Sequence, residues 1–129
     1  MGCDIHGWVE TKVGDKWVAV KELKDLDRNY ERFGKLAGVR DDGPAPRGLP
    51  PDISDTTRLH VEGWGEDGHS HSWLPVAEAA KIFYETQWIK DTPEAKRHHE
   101  FAKDYPEYEY FGLEEDDYSN YRLVFWFDN

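Results

Sequence analysis

Cys3-Asp4-Ile5-His6-Gly7-Trp8-Val9-Glu10 is the stretch whose alternation decides the fold. In a β-strand every second side chain shares a face. Cys3, Ile5, Gly7 and Val9 therefore lie on one side, and Asp4, His6, Trp8 and Glu10 on the other. One face is apolar and suited to a core. The other is ionisable, which a strand buried on both sides would not tolerate without partners.

Working outward, residues 3 to 13 read as a strand and Val13-Gly14-Asp15-Lys16 as a tight turn. Trp17 to Lys21 resumes in extended form, giving an N-terminal β-hairpin. At the other end of the chain, Tyr121-Arg122-Leu123-Val124-Phe125-Trp126-Phe127 is apolar on both faces, so it belongs in the middle of a sheet beside that hairpin. Between them the spacing predicts three helices. Asp27 is placed to cap one running from Arg28 to Ala37, with Tyr30, Phe33, Leu36 and Ala37 on one stripe and Gly38 closing it. Leu74-Pro75 precedes a second, with Val76, Ala79, Ala80 and Phe83 on one face. Thr92-Pro93 opens a third, ending near Lys103. A segment from Ser54 or Asp55 to Trp64 reads equally as a short helix or as extended chain.

Asp41 to Asp52 carries Pro44, Pro46, Pro50 and Pro51 among Gly43 and Gly48, a loop of a length that more often serves a site than not. Asp104 to Asn120 reads as an acidic, tyrosine-rich solvated loop containing the carboxylate run Glu114 to Asp117. With no internal repeat or linker, the expectation is one α+β domain over residues 1–129: a small antiparallel sheet from the hairpin and the last strand, covered by about three helices.

The net charge of −11 disfavours long nucleic acid, whose binding draws its affinity from counterions displaced by Lys and Arg. A small anion stays within reach, because one or two arginines can hold a phosphate. The single cysteine, Cys3, faces the apolar side and fits a reducing cytoplasm. No stretch has the roughly 18 apolar residues of a membrane helix, and no secretory leader or lipidation signal is legible, so no membrane partner is expected.

Gly68-His69-Ser70-His71-Ser72-Trp73 is the second informative stretch. In extended geometry His69 and His71 project from the same side. Joined to Asp4 and His6 they form a set of four ligands of the kinds preferred by Zn, Mn or Fe. The same histidines, with Glu10 as a further carboxylate, also suit metal-free acid–base catalysis. Arg40 and Arg47 bracket the Pro/Gly-rich loop as candidate phosphate ligands, and Tyr30, Trp64 and Trp73 offer faces on which a base would stack. The bland alternatives are a polar turn at His69 to Ser72, an Arg partner for Asp4 and salt bridges for the two arginines. His98-His99 falls within a helix, where neighbours diverge by about 100°, and reads as surface.

Asp4-Ile5-His6-Gly7 and Gly68-His69-Ser70-His71 resemble the first and last metal-binding motifs of calcineurin-like metallophosphoesterases. The intervening motifs of that family are absent and the chain is too short for its fold, so the likeness is one of ligand spacing. A second resemblance runs nearly the whole chain. The opening Met-Gly-Cys-Asp-Ile-His, the Arg28-Asn29-Tyr30 to Gly38-Val39-Arg40 segment, Pro46-Arg47-Gly48-Leu49-Pro50 with Asp52 and Ser54, and His69-Ser70-His71-Ser72-Trp73-Leu74 are similar to a family of small proteins encoded by tailed bacteriophages. That resemblance implies a cytoplasmic protein of the infected host, an accessory with an anti-defence role against a nucleotide second messenger. The expected activity is hydrolysis of a cyclic nucleotide, by metal or by histidine. The alternatives are a non-catalytic sponge for the same ligand, or an acidic protein-binding inhibitor acting through Glu114 to Asp117. Association into a homo-oligomer stays open.

Overall fold

The computed structural model describes residues 2–23, 28–40, 42–113 and 119–128. Four strands form one antiparallel sheet: β1 (Asp4–Val13), β2 (Lys16–Glu22), β3 (Gly68–Pro75) and β4 (Tyr121–Asp128), in the order β2-β1-β4-β3. The expected α+β architecture is present, with β4 in the interior of the sheet beside the hairpin. Val13 pairs with Lys16 across the two-residue turn Gly14-Asp15, and the φ of +62° at Gly14 is the left-handed conformation such a hairpin needs at its first turn position. The His-rich stretch supplies the fourth strand at the far edge.

Among the described residues the helices are α1 (Tyr30–Ala37), α2 (Asp55–Trp64), α3 (Val76–Glu85), α4 (Pro93–Asp104) and α5 (Pro106–Phe111). α1 starts later than expected. Asn29 caps it by accepting a hydrogen bond from Arg32 N at 3.0 Å, and its own amide reaches the Thr86 carbonyl, so the cap also ties α1 to the end of α3. Asp27, expected in that role, lies outside the described residues. The ambiguous segment resolves as α2, where Ser54 accepts from Thr57 N as N-cap. The acidic stretch from Asp104 is not all loop, because Pro106 at the first position and Gly112 in the left-handed region bracket the short helix α5. Glu114 to Asp117 lies outside the described residues.

The core occupies the apolar face of the sheet. Ile5, Val9, Leu74, Leu123, Phe125 and Phe127 from the strands meet Phe33 and Leu36 of α1 and Val76, Ala80 and Phe83 of α3. Cys3 is buried among them, as its strand position predicts. On the ionisable face α2 packs against β2 and β4. The apolar side is covered at its centre, while Val13 and Val18 on the same side stay exposed at the hairpin end. Among the described residues no helix is long and apolar enough to cross a membrane.

Candidate functional site

The ionisable face is built by register. Asp4 lies opposite Asp128, His6 opposite Trp126, Trp8 opposite Val124 and Glu10 opposite Arg122. Trp73 stands across from Val124 on the other side of β4, and Trp17 sits opposite Lys12 at the hairpin end. Trp64 comes from the last turn of α2, its ring 4.4 Å from that of His6. Five of the six tryptophans, all but Trp88, therefore gather on one side of the sheet. Trp8, Trp64 and Trp73 are half-buried, while Trp126 is wholly buried.

Histidines interleave with these rings. His60, on α2, sits edge-on to Trp126 at 5.0 Å, and its centroid lies 6.3 Å from that of His6. Trp8 Nε1 donates to His60 Nδ1 at 3.0 Å, which places the proton of the neutral imidazole on Nε2. His6 Nε2 stands 3.5 Å from Asp128 Oδ2, within ion-pair reach, yet makes no hydrogen bond there. Trp126 Nε1 is likewise buried without a hydrogen-bond partner. A buried donor left in this state costs about 1–3 kcal/mol, so this corner carries unsatisfied polar capacity.

His69 and His71 do not share a face. β3 carries a bulge between His69 and Ser72, where three steps along β3 match two along β4 and Ser70 adopts a left-handed φ of +55°. The inserted residue shifts the alternation. His69 falls opposite Phe127 on the apolar side, its ring stacked at 6.2 Å, with Nδ1 bonded to Ser70 Oγ at 3.0 Å. His71 turns to the ionisable side: a Cβ on Gly68 would lie 3.4 Å from His71 Nε2, Trp126 Cδ1 and Trp64 Cβ alike. The structure thus brings His6, His60 and His71 together with Trp64 and Trp126, and leaves His69 out.

Asp4 is engaged elsewhere. Arg28 donates to both its oxygens, at 2.9 and 3.3 Å, and this pairing holds the Asp4 carboxyl below its ordinary value. Among the described residues no group of three or more His, Cys, Asp or Glu stands where it can hold a metal ion. The four-ligand set Asp4, His6, His69 and His71 is not assembled, because the bulge and the Arg28 pair separate its members.

Glu10 is 0% exposed and structural. Arg122 Nε and Nη2 donate to its Oε1 at 2.8 and 2.7 Å, while Ser54 N and Thr57 Oγ1 donate to its Oε2 at 3.0 and 2.7 Å. With every direction taken and no path to solvent, it cannot serve as the acid–base group expected of it. It fastens the start of α2 to the sheet. Arg122 completes the network through Asp52 at 2.9 Å and lies over the Trp17 ring at 3.9 Å.

The two loop arginines separate. Arg40, with a left-handed φ of +56°, lies over the Tyr30 ring at 4.4 Å, and the Tyr30 hydroxyl accepts from Cys3 N at 3.1 Å. One face of Tyr30 is therefore already covered by a guanidinium. Arg47 sits at the outer edge of β3, its backbone N donating to Ser72 Oγ at 3.0 Å and the next amide, Gly48 N, donating to the His71 carbonyl at 2.9 Å. Its guanidinium lies 5.3 Å above the Trp73 ring and 3.7 Å from Glu78, half exposed. Arg47, Trp73 and His71 thus form one continuous rim.

His60, Trp126 and Arg122 were missed as site residues. His60 and Trp64 are four apart, one turn of the helix left undecided by the sequence. Arg122 is the single cation in β4, within its apolar run, and had to find a carboxylate. His98 is exposed, as expected. His99 is not simply surface, because it stacks on Tyr84 at 4.4 Å.

Burial lowers the pKa of His71, and the neighbouring His69 lowers it further. A histidine lowered on folding takes up its proton more readily in the unfolded chain. Its stabilising effect is complete above the ordinary value of 6.5 and is lost as pH falls below it. The His71→Gln variant is expected to show a shallower loss of stability between about pH 6.5 and 5, read from urea midpoints. Parallel pH profiles for variant and wild type would contradict the burial of His71.

No known protein family, curated protein or solved structure matches this chain.

Proposed function

We propose that the protein binds and sequesters a small nucleotide on the ionisable face of its sheet. The observation that carries this reading is the grouping of Trp64, Trp73 and Trp126 with His6, His60 and His71 on one face, rimmed by Arg47. Indole faces take up a base by stacking at about 1–3 kcal/mol per base. Arg47, already turned across Trp73, exchanges its long exposed contact with Glu78 for a phosphate, to which a guanidinium donates bidentately. In the phage setting suggested by the order of motifs, such a protein acts as a sponge for a nucleotide signal.

Binding is favoured over cleavage because the expected catalytic members are dispersed: Glu10 is locked to Arg122 and His69 faces the core. One observation favours a second reading, histidine-mediated phosphodiester hydrolysis. His6 beside Asp128 has the makings of an acid–base pair.

The test is calorimetric titration with a panel of cyclic dinucleotides and ADP-ribose derivatives. Arg47→Ala and Trp73→Ala are each expected to weaken binding by tenfold or more. For Arg47→Ala the thermal midpoint should stay nearly unchanged, since an exposed ion pair contributes about 0–1 kcal/mol. Ligand recovered intact after heat denaturation supports the sponge, whereas product formed with or without added Zn, Mn or Fe supports hydrolysis. Absence of binding across the panel defeats both.

A further inference from the structure

The helical end of the molecule holds a feature that the nucleotide reading does not use. α4 and α5 are docked on α3 through their inner sides. Ala102 and Phe111 are buried, His99 stacks on Tyr84, and both His99 and the Tyr110 hydroxyl bond to Gln87 Oε1. Their outer sides enclose a groove of about 390 Å³ lined by Glu94, Arg97, His98, Phe101, Tyr108 and Glu109. Phe101, Tyr105 and Tyr108 are 44%, 55% and 41% exposed, although all three rings touch: Phe101 stacks on Tyr105 at 5.0 Å and meets Tyr108 edge-on at 5.8 Å.

A contiguous aromatic cluster left in water marks a surface with a partner. Its chemistry selects the occupant. The lining sets two carboxylates, Glu94 and Glu109, against one fixed cation, Arg97, and aromatic faces beside the surplus carboxylate suit a guanidinium, which stacks on a ring and takes a carboxylate bidentately. His98, 3.4 Å from Glu109, holds that carboxylate at the groove rather than away in solvent. The net charge of −11 draws a basic partner towards the protein.

We infer that the α4–α5 groove is a docking surface for an arginine-bearing segment of a basic partner protein. The inference is independent of the nucleotide site. It is tested with a fluorescein-labelled peptide of alternating Arg and Ser, measured by fluorescence anisotropy at ~150 mM salt, where long-range attraction is screened beyond about 8 Å. Wild type is expected to bind it. Phe101→Ser with Tyr108→Ser should lower the affinity by tenfold or more, as should Glu94→Gln with Glu109→Gln. Asp55→Asn with Glu62→Gln, which removes the same two charges from α2, should change it less than twofold. Circular dichroism confirms that each variant, altered only at the surface, remains folded. The inference is overturned if the peptide does not bind, if the α2 control loses as much as the groove variants, or if an Asp/Ser peptide or single-stranded RNA binds the groove in preference through Arg97 and His98.

Discussion

Replacing Arg122 with Met is expected to cost about 3–5 kcal/mol of folding stability, the loss typical of stranding one member of a buried ion pair. Glu10 is wholly buried, and without Arg122 its Oε1 keeps no donor. Total stability for a domain of this size is on the order of 5–15 kcal/mol, so the single variant should stand near the limit of folding. The effect is not the worth of the pair, because much of it is the charge left behind. Adding Glu10→Gln removes that charge, and the double variant should recover a large part of the loss. Amide exchange adds a local reading. Glu10 holds Ser54 N and Thr57 Oγ1, so protection across α2 should fall further than protection in β4. A single variant within about 1 kcal/mol of wild type would mean that Glu10 is solvated and that the network does not hold α2.

Phe127→Ala is the second large effect, at about 3–5 kcal/mol, because it removes a ring from the middle strand where little can relax into the space. Phe127 is 0% exposed, packs 5.0 Å from Phe33 and 5.9 Å from Phe125, and stacks with His69. The adjacent Trp126 points to the opposite face, so the experiment also separates the two sides of the sheet. Phe127→Ala should impair ligand binding only as far as it unfolds the protein, whereas Trp73→Ala should impair binding by far more than its effect on the urea midpoint. Equal ratios of binding loss to stability loss at the two positions would erase the distinction between core face and ligand face.

The alternation in Cys3 to Glu10 and the unbroken apolar run of Leu123 to Phe127 were enough to read the centre of the sheet, because a strand's period of two leaves no freedom once one face is buried. α3 was equally legible from Val76, Ala79, Ala80 and Phe83. The site was less so, for identifiable reasons. Extended geometry was assumed at His69-Ser70-His71, and a single left-handed residue reversed one of the two imidazoles. Nothing in that tripeptide announces it, since Ser is not a residue that favours positive φ. Glu10 carried the right chemistry for catalysis, but its role depended on Arg122, more than a hundred residues away, and on the cap of a helix whose existence was undecided. Arg47 and Trp73 could be proposed separately from composition. Their meeting depends on the path of a Pro/Gly-rich loop, fixed by the hydrogen bonds of Arg47 N and Gly48 N to β3.

The bulge at Ser70 has a meaning for how this chain can vary. It acts as a parity switch: residues before it in β3 obey one odd–even assignment and residues after it the opposite one. Loss of a single residue there would remove the extra step and let β3 run beside β4 in unbroken alternation, with His69 and Leu74 still on the apolar side and Trp73 still on the other. Loss or gain of one residue elsewhere in β3 would instead turn one arm of the strand over. Related chains that keep both surfaces should therefore tolerate a change of length at the bulge and at no other point of this strand.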